Sequence, residues 1–192
     1  GGSIPVYNDC SYKKVSTTED SRKNMLFVCS SYYVNIEGFM WFYSNVLPYL
    51  DKKYHLVVVG SGSKQLENRV HDEEIEILGR VESMASYYEN ADIVIEPVFD
   101  GGGMKVKTIE ALSFGKCLIS TSESLNGYWE KIPATLRDKV VFRCNTSQEW
   151  IDVCNLLLNR KIKRYNQDVF DIFSMYFSEQ ALKQAFEQAF EH

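Results

Sequence analysis

Short runs of unbroken apolar residues recur along this chain, and each is followed by a stretch with helical spacing. The clearest runs are 25–29 (MLFVC), 56–59 (LVVV), 93–95 (IVI) and 117–120 (CLIS). A strand with one wet face alternates apolar and polar residues. A strand with no polar face must be covered on both sides, which is the condition of a parallel sheet between two helical layers. Two weaker strand signals lie at 75–78 and 140–142. Helical spacing is read over 36–50, 64–70, 83–90 and 105–114, and for everything after Ser147. Ser178 is a suitable N-cap for a last helix. The alternation predicts an α/β fold: one Rossmann-like, doubly wound domain with a mostly parallel sheet of about six strands, plus C-terminal helices.

The length of 192 residues fits one such domain with a tail or linker. Residues 8–24 are polar and without period, so 1–24 is assigned to a connection and linker, 25–177 to the domain, and 178–192 to a closing helix. Ala181, Leu182, Ala185, Phe186, Ala189 and Phe190 make that helix's packing face. The opening Gly1-Gly2-Ser3 reads as a cloning remnant rather than a secretory leader, and the chain as a piece of something longer. A composition of 45 % hydrophobic and 24 % charged residues excludes a largely disordered chain. The formal net charge of -5 argues against non-specific binding to nucleic acid or anionic membranes. No apolar run approaches the ~20 residues of a membrane span. The five cysteines (10, 29, 117, 144 and 154) form no C-x-x-C pair, and three lie in or beside apolar runs. They read as small buried hydrophobes in a reducing, cytoplasmic compartment.

In a sheet of this kind the ligand sits beyond the carboxyl ends of the strands. The richest loop there runs from Pro97 through Asp100-Gly101-Gly102-Gly103-Met104-Lys105 into a helix that carries Lys107 and Glu110. Adjacent glycines let a backbone approach a ligand, and a helix start offers N–H groups and a positive dipole end. With the two lysines the combination suits a phosphate or diphosphate, and Glu110 suits the vicinal diol of a ribose. Lys105 and Lys107 lie on nearly opposite helix faces. Lys107 is expected beside Glu110, and Lys105 on the phosphate. The bland alternative is a flexible loop with solvated lysines.

Gly60-Ser61-Gly62 fails both the dinucleotide fingerprint, which needs glycine where Gln65 stands, and the P-loop. It reads as a tight strand-to-helix turn. His55, His71 and His192 have no metal-ligand spacing, and no catalytic nucleophile is identifiable. The aromatic residues Tyr32, Tyr33, Phe39, Trp41, Phe42 and Tyr43 read as mostly core, with Tyr32 or Tyr33 placed to face the cleft.

The string G-x-G-x-K-x-K-x-x-E-A-x-x-x-G-K-x-x-x-x-T at 101–121 resembles the donor-binding motif of GT-B glycosyltransferases of the large family-four, group 1 type. Other pieces match in order: Ile4-Pro5, 56–62, Ile77-Leu78-Gly79-Arg80-Val81, Tyr87-Tyr88-Glu89-Asn90-Ala91-Asp92 with Pro97, and the 35–48 pattern N-x-x-G-x-x-W-F-x-x-V-L-P of a bacterial polysaccharide-type branch. The resemblance implies the donor-nucleotide half of a transferase that moves a sugar from a nucleoside diphosphate sugar to a polysaccharide or other glycan acceptor, with retention. It implies a diphosphate cradle at Gly102, Gly103, Met104 and Lys105, ribose at Glu110 with support from Lys107, and a base-contacting turn at Gly79, Arg80 and Val81. It calls for no metal and no cofactor beyond the donor. The partner is an acceptor-binding N-terminal half, through which any contact with the inner face of the cell membrane would run. The isolated domain would be inactive. Two departures stand out. The family's first glutamate falls on Gly102, and its arginine and lysine after the first strand are replaced by Ser30, Ser31 and Glu37. Two other readings stay open: a non-catalytic nucleotide-binding regulatory module, and a fragment of a GT-B-like sugar-nucleotide epimerase, for which a histidine array is lacking.

Overall fold

Continuous apolar strands need helices on both faces, and the computed structural model, which describes residues 22–102, 105–181 and 183, supplies them. Six strands run β1 (Lys23–Val28), β2 (Tyr54–Val59), β3 (Ile75–Gly79), β4 (Ile93–Glu96), β5 (Cys117–Ser120) and β6 (Val141–Arg143). Five helices join or follow them: α1 (Tyr33–Asn45), α2 (Ala85–Asn90), α3 (Val106–Ser113), α4 (Ser147–Leu158) and α5 (Gln167–Tyr176). Every strand pair is parallel, in the order β3-β2-β1-β4-β5-β6.

Alternation within each strand divides the core in two. Met25, Phe27, Ile93, Ile95, Cys117 and Ile119 point into one layer with Phe39 and Phe42 of α1 and Trp150 of α4. Leu26, Val94 and Leu118 point into the other, with Tyr88 of α2, Ala111 and Leu112 of α3 and Val169 and Ile172 of α5. Both layers are apolar, so neither face of the sheet meets water.

Most boundaries match the sequence reading, with four differences. β1 takes up Lys23 and Asn24, which the periodicity left in the linker. α1 begins at Tyr33 and gives way to a 3-10 turn at Leu47–Tyr49, where Pro48 cannot continue an α-helix. The helix expected over 64–70 is only a 3-10 turn at Ser63–Leu66. Ser63 is tied to the sheet there, because its Oγ donates to the Gly60 carbonyl and accepts from the Gly79 N–H. The helical period after Ser147 is broken over 159–166, between α4 and α5. Ser178 Oγ does accept from the Ala181 N–H at 3.2 Å, as an N-cap should. The rest of the closing helix, the Ile4-Pro5 connection, Cys10, and Gly103 with Met104 lie outside the described residues.

The order places β1 beside β4, with their following connections leaving toward opposite faces. That is the switch point of a doubly wound sheet, where a crevice opens. Two glycines brace its loops. A Cβ on Gly62 would stand 2.0 Å from the Ser30 carbonyl oxygen, and one on Gly38 of α1 2.0 Å from that of Pro97. Only glycine lets these backbones meet so closely. The turn reading of Gly60-Ser61-Gly62 is therefore correct.

Candidate functional site

The crevice lies between the loop after β1 and the loop that leads from β4 into α3. Ser30, Tyr32 and Asn35 form one wall; Gly101, Gly102, Lys105 and Lys107 form the other, and Glu96 lies at the end of β4 between them. A Cβ on Gly102 would meet nothing within 4 Å, so the loop's approach to the crevice is open.

The start of α3 is built differently from the start of α4. Thr146 caps α4 by accepting from the Glu149 N–H, and Glu149 reaches back to the N-cap N–H. Lys105 caps α3 in an extended conformation with no side-chain bond and no acidic residue in the first turn. The start of α3 therefore has no side-chain cap, and its residues Lys105, Val106 and Lys107 line the crevice, as an anion site requires.

The two lysines take distinct positions. Lys105 Nζ lies 3.2 Å from Glu123 Oε1 and 3.5 Å from the Asp100 carbonyl oxygen. Its carbonyl accepts from the Tyr128 hydroxyl at 2.9 Å, which fixes the helix start. Lys107 crosses the crevice and donates to Asn35 Oδ1 at 3.0 Å. Asn35 Nδ2 in turn donates to Ser30 Oγ at 3.0 Å. The loop after β1 has no cation of its own, and Lys107 delivers one to it from the opposite wall. Burial holds the Lys107 ammonium below its ordinary pKa, while Glu96, Cys29 and Glu110 pull the other way. A bound anion would favour the ammonium in the same way.

Lys107 spends its hydrogen bond on Asn35, while Glu110, set on the same helix face by the spacing, acts on its ammonium through space. Glu110 Oε2 accepts from the buried Tyr88 hydroxyl at 2.9 Å. Tyr88 is itself stacked on Phe114 with ring centroids 4.9 Å apart. Glu110 is thus held in place on the α2 side of α3, outside the walls of the crevice. The turn after β3 is also separate, two strands away from β1. Gly79 donates its N–H to Ser63 Oγ and its carbonyl accepts from the Gly60 N–H, so main-chain contacts from that turn fall to Arg80 and Val81.

Glu96 was not singled out in the sequence. It is 3 % exposed and closes the apolar run of β4. Thr108 Oγ lies 2.7 Å from its Oε2 and Ser120 Oγ 3.2 Å. Burial pushes its carboxyl up to about 7, against the two hydroxyls and Lys107, which favour the charged form. Thr108 also reaches the Ser124 carbonyl at 3.0 Å. A protonated Glu96 can therefore donate to Thr108 while Thr108 donates onward, so both forms of the acid are accommodated. The signal available in the sequence was a lone carboxylate ending an apolar strand directly before the glycine loop.

Among the described residues no activated nucleophile emerges. Cys29 lies near Lys107, but burial pushes its thiol up to about 12. Among the described residues, no cluster of histidine, cysteine, aspartate or glutamate could hold a metal ion. His55 pairs with Glu76 at 3.2 Å, away from the crevice. Of the aromatics, Phe39 and Phe42 are core, and Tyr32, half exposed, lines the crevice.

An open parallel sheet with a crevice at its switch point defines a doubly wound, Rossmann-like α/β domain. Residues 22–160 match the family of glycosyl transferases group 1, and the chain belongs to it. No curated protein matches the sequence significantly. Among solved structures, it is similar to HepE of Anabaena in complex with UDP and glucose (TM-score 0.60, 12 % identity, 89 % of this chain and 48 % of that one). It is also similar to the C-terminal domain of LpcC, a glycosyl transferase group 1 family protein of Francisella tularensis (TM-score 0.59, 18 % identity, 83 % of this chain and 87 % of that one). The catalytic domain of starch synthase IV from Arabidopsis thaliana, bound to ADP and acarbose, is a third (TM-score 0.61, 15 % identity, 90 % and 38 %). At these identities the likeness is one of fold. The chain spans about half the length of HepE, and most of the LpcC domain. Among the described residues, no helix is long and apolar enough to cross a membrane.

Proposed function

We propose that this chain is the donor-binding half of a glycosyltransferase, and that its crevice holds a nucleoside diphosphate sugar. The observation that carries the reading is the uncapped start of α3, fed by the glycine loop and flanked by Lys105 and Lys107. The diphosphate would lie at the main-chain N–H groups of 102–104, with Lys105 released from Glu123 to meet it. Lys107, already on the β1 side, would supply the second charge. Glu110, held by Tyr88, would take the ribose diol, and Arg80 and Val81 would meet the base. Catalysis in such a site comes from orientation and from stabilising the departing diphosphate by fixed positive charge. Lys105, Lys107 and the start of α3 would supply that charge, so the reading calls for no metal. The acceptor would be brought by an N-terminal half, in keeping with a polysaccharide or other glycan product and a retained anomeric configuration.

The test is calorimetric titration with UDP, GDP, ADP and TDP in the absence of divalent metal. One half-site should bind one of them with Kd on the order of 0.1–1 mM. No saturable binding by any of the four up to several millimolar overturns the reading.

A further inference from the structure

Glu96 has a second oxygen that the fold does not use. Both hydroxyl contacts, from Thr108 and Ser120, go to Oε2. Oε1 accepts no hydrogen bond from any described residue. Yet among the described residues no side-chain oxygen sealed from solvent lacks a partner. Oε1 must therefore open on the crevice whose wall Glu96 helps to form. A carboxylate at 3 % exposure with one satisfied and one open oxygen is costly to maintain, because the open oxygen has lost most of its water.

The open atom is an acceptor, so its partner must be a hydroxyl or an N–H. A phosphate oxygen offers neither and is repelled. Resting on the reading of the crevice as a donor site, we propose that Glu96 recognises the sugar of the donor. Its Oε1 accepts a hydrogen bond from a hydroxyl of the transferred sugar, so the crevice holds a nucleoside diphosphate sugar more tightly than the bare diphosphate. The ribose is the other source of hydroxyls. It is served by Glu110, which stands on the α2 side of α3 with its own hydroxyl donor. Glu96 instead lines the same crevice as Lys105 and Lys107, bonded to Thr108 in the first turn of α3.

The experiment titrates the chain with three pairs: UDP and UDP-glucose, GDP and GDP-mannose, ADP and ADP-glucose. In Glu96→Gln the amide oxygen will take the place of Oε2, where two hydroxyls point, and the amide nitrogen will face the crevice. The acceptor there becomes a donor. For the pair that binds, the variant should lose about tenfold in affinity for the sugar form, with the bare diphosphate unchanged within about twofold, as for one charge-assisted bond. Glu96→Asp keeps the charge but withdraws the oxygen by one methylene. It should show the same selective loss, and it serves if the first variant does not fold. Equal losses for sugar form and diphosphate overturn the proposal, since they mean a contact to ribose or a purely structural role. So does an unchanged preference for the sugar form. If the unaltered chain binds no member of any pair, the donor-site reading itself fails and this proposal with it. That result is distinct from binding in which Glu96 is silent.

Discussion

Two buried ionisable groups sit at opposite ends of the same sheet, and they are finished differently. Lys116, between α3 and β5, is 2 % exposed, and its ammonium donates to the carbonyls of Glu89, Ala91 and Arg164. Its three protons have three partners, and the site is closed. Burial still depresses it to about 8. Glu96, at the carboxyl end of β4, is as buried, but only one of its oxygens is bonded by the protein. Both pay for desolvation. The difference is that Lys116 ties three segments together, whereas Glu96 leaves its second oxygen facing a crevice. Burial alone does not mark function; burial with an unmet valence toward an opening does.

The largest expected effect is at the closed end. Lys116→Met removes the donor from three carbonyls, each worth about 1–3 kcal/mol when left unmet, less what is recovered by no longer burying a charge. A loss of about 3 kcal/mol in urea-unfolding stability is expected, with nucleotide binding unchanged in the folded variant. A Met variant as stable as the parent would erase the contrast drawn here.

Glu96→Gln should do the reverse, gaining stability where it loses function. Burial pushes the folded carboxyl up to about 7, above the ordinary glutamate value of about 4.5. The folded state therefore binds more protons across that window, and this group's contribution falls as pH rises through it. At pH 8 the variant should be more stable than the parent by about 3 kcal/mol, and at pH 5 by less than about 1 kcal/mol. Thermal melts across pH 5–8.5 check this; a gain of the same size at every pH would mean that charge is not the cause.

Glu110→Gln tests the α2 side of the site. It should weaken diphosphate binding about tenfold, about 1.4 kcal/mol, with little change in stability. An unchanged Kd would make the Tyr88–Glu110 bond a structural one.

The smallest effect concerns the ion pair at the start of α3. Lys105 and Glu123 are 16 % and 29 % exposed, so their attraction is partly screened. Glu123→Gln frees Lys105 and should raise diphosphate affinity about threefold at low salt, fading toward physiological ionic strength. Lys105→Ala should lower affinity by a similar factor and flatten the salt dependence. If Lys107→Ala shows that signature and Lys105→Ala is silent, the phosphate contact belongs to Lys107.

The sequence by itself determined the architecture. Unbroken apolar strands such as 56–59 and 93–95 force a sheet covered on both faces, and the strand ends were readable to within a few residues, because periodicity and glycine punctuation are local. It also located the glycine loop and the charged start of α3. Only the tertiary structure decided how those charges are spent. Lys107 bonds Asn35, 72 residues away, rather than Glu110 three residues on, and Glu110 is held by Tyr88 from α2. The turn at Ser63–Leu66 stops short of a helix because Ser63 is bound to Gly79 on the next strand. Glu96 showed in the sequence only as a carboxylate ending an apolar strand; what distinguishes it, one bonded oxygen and one open oxygen, is made by Thr108 and Ser120 from two later elements. Helical spacing records which residues can share a face. Which partner a buried charge finds depends on the distances between chain segments, and those exist only once the sheet has brought β1 and β4 side by side.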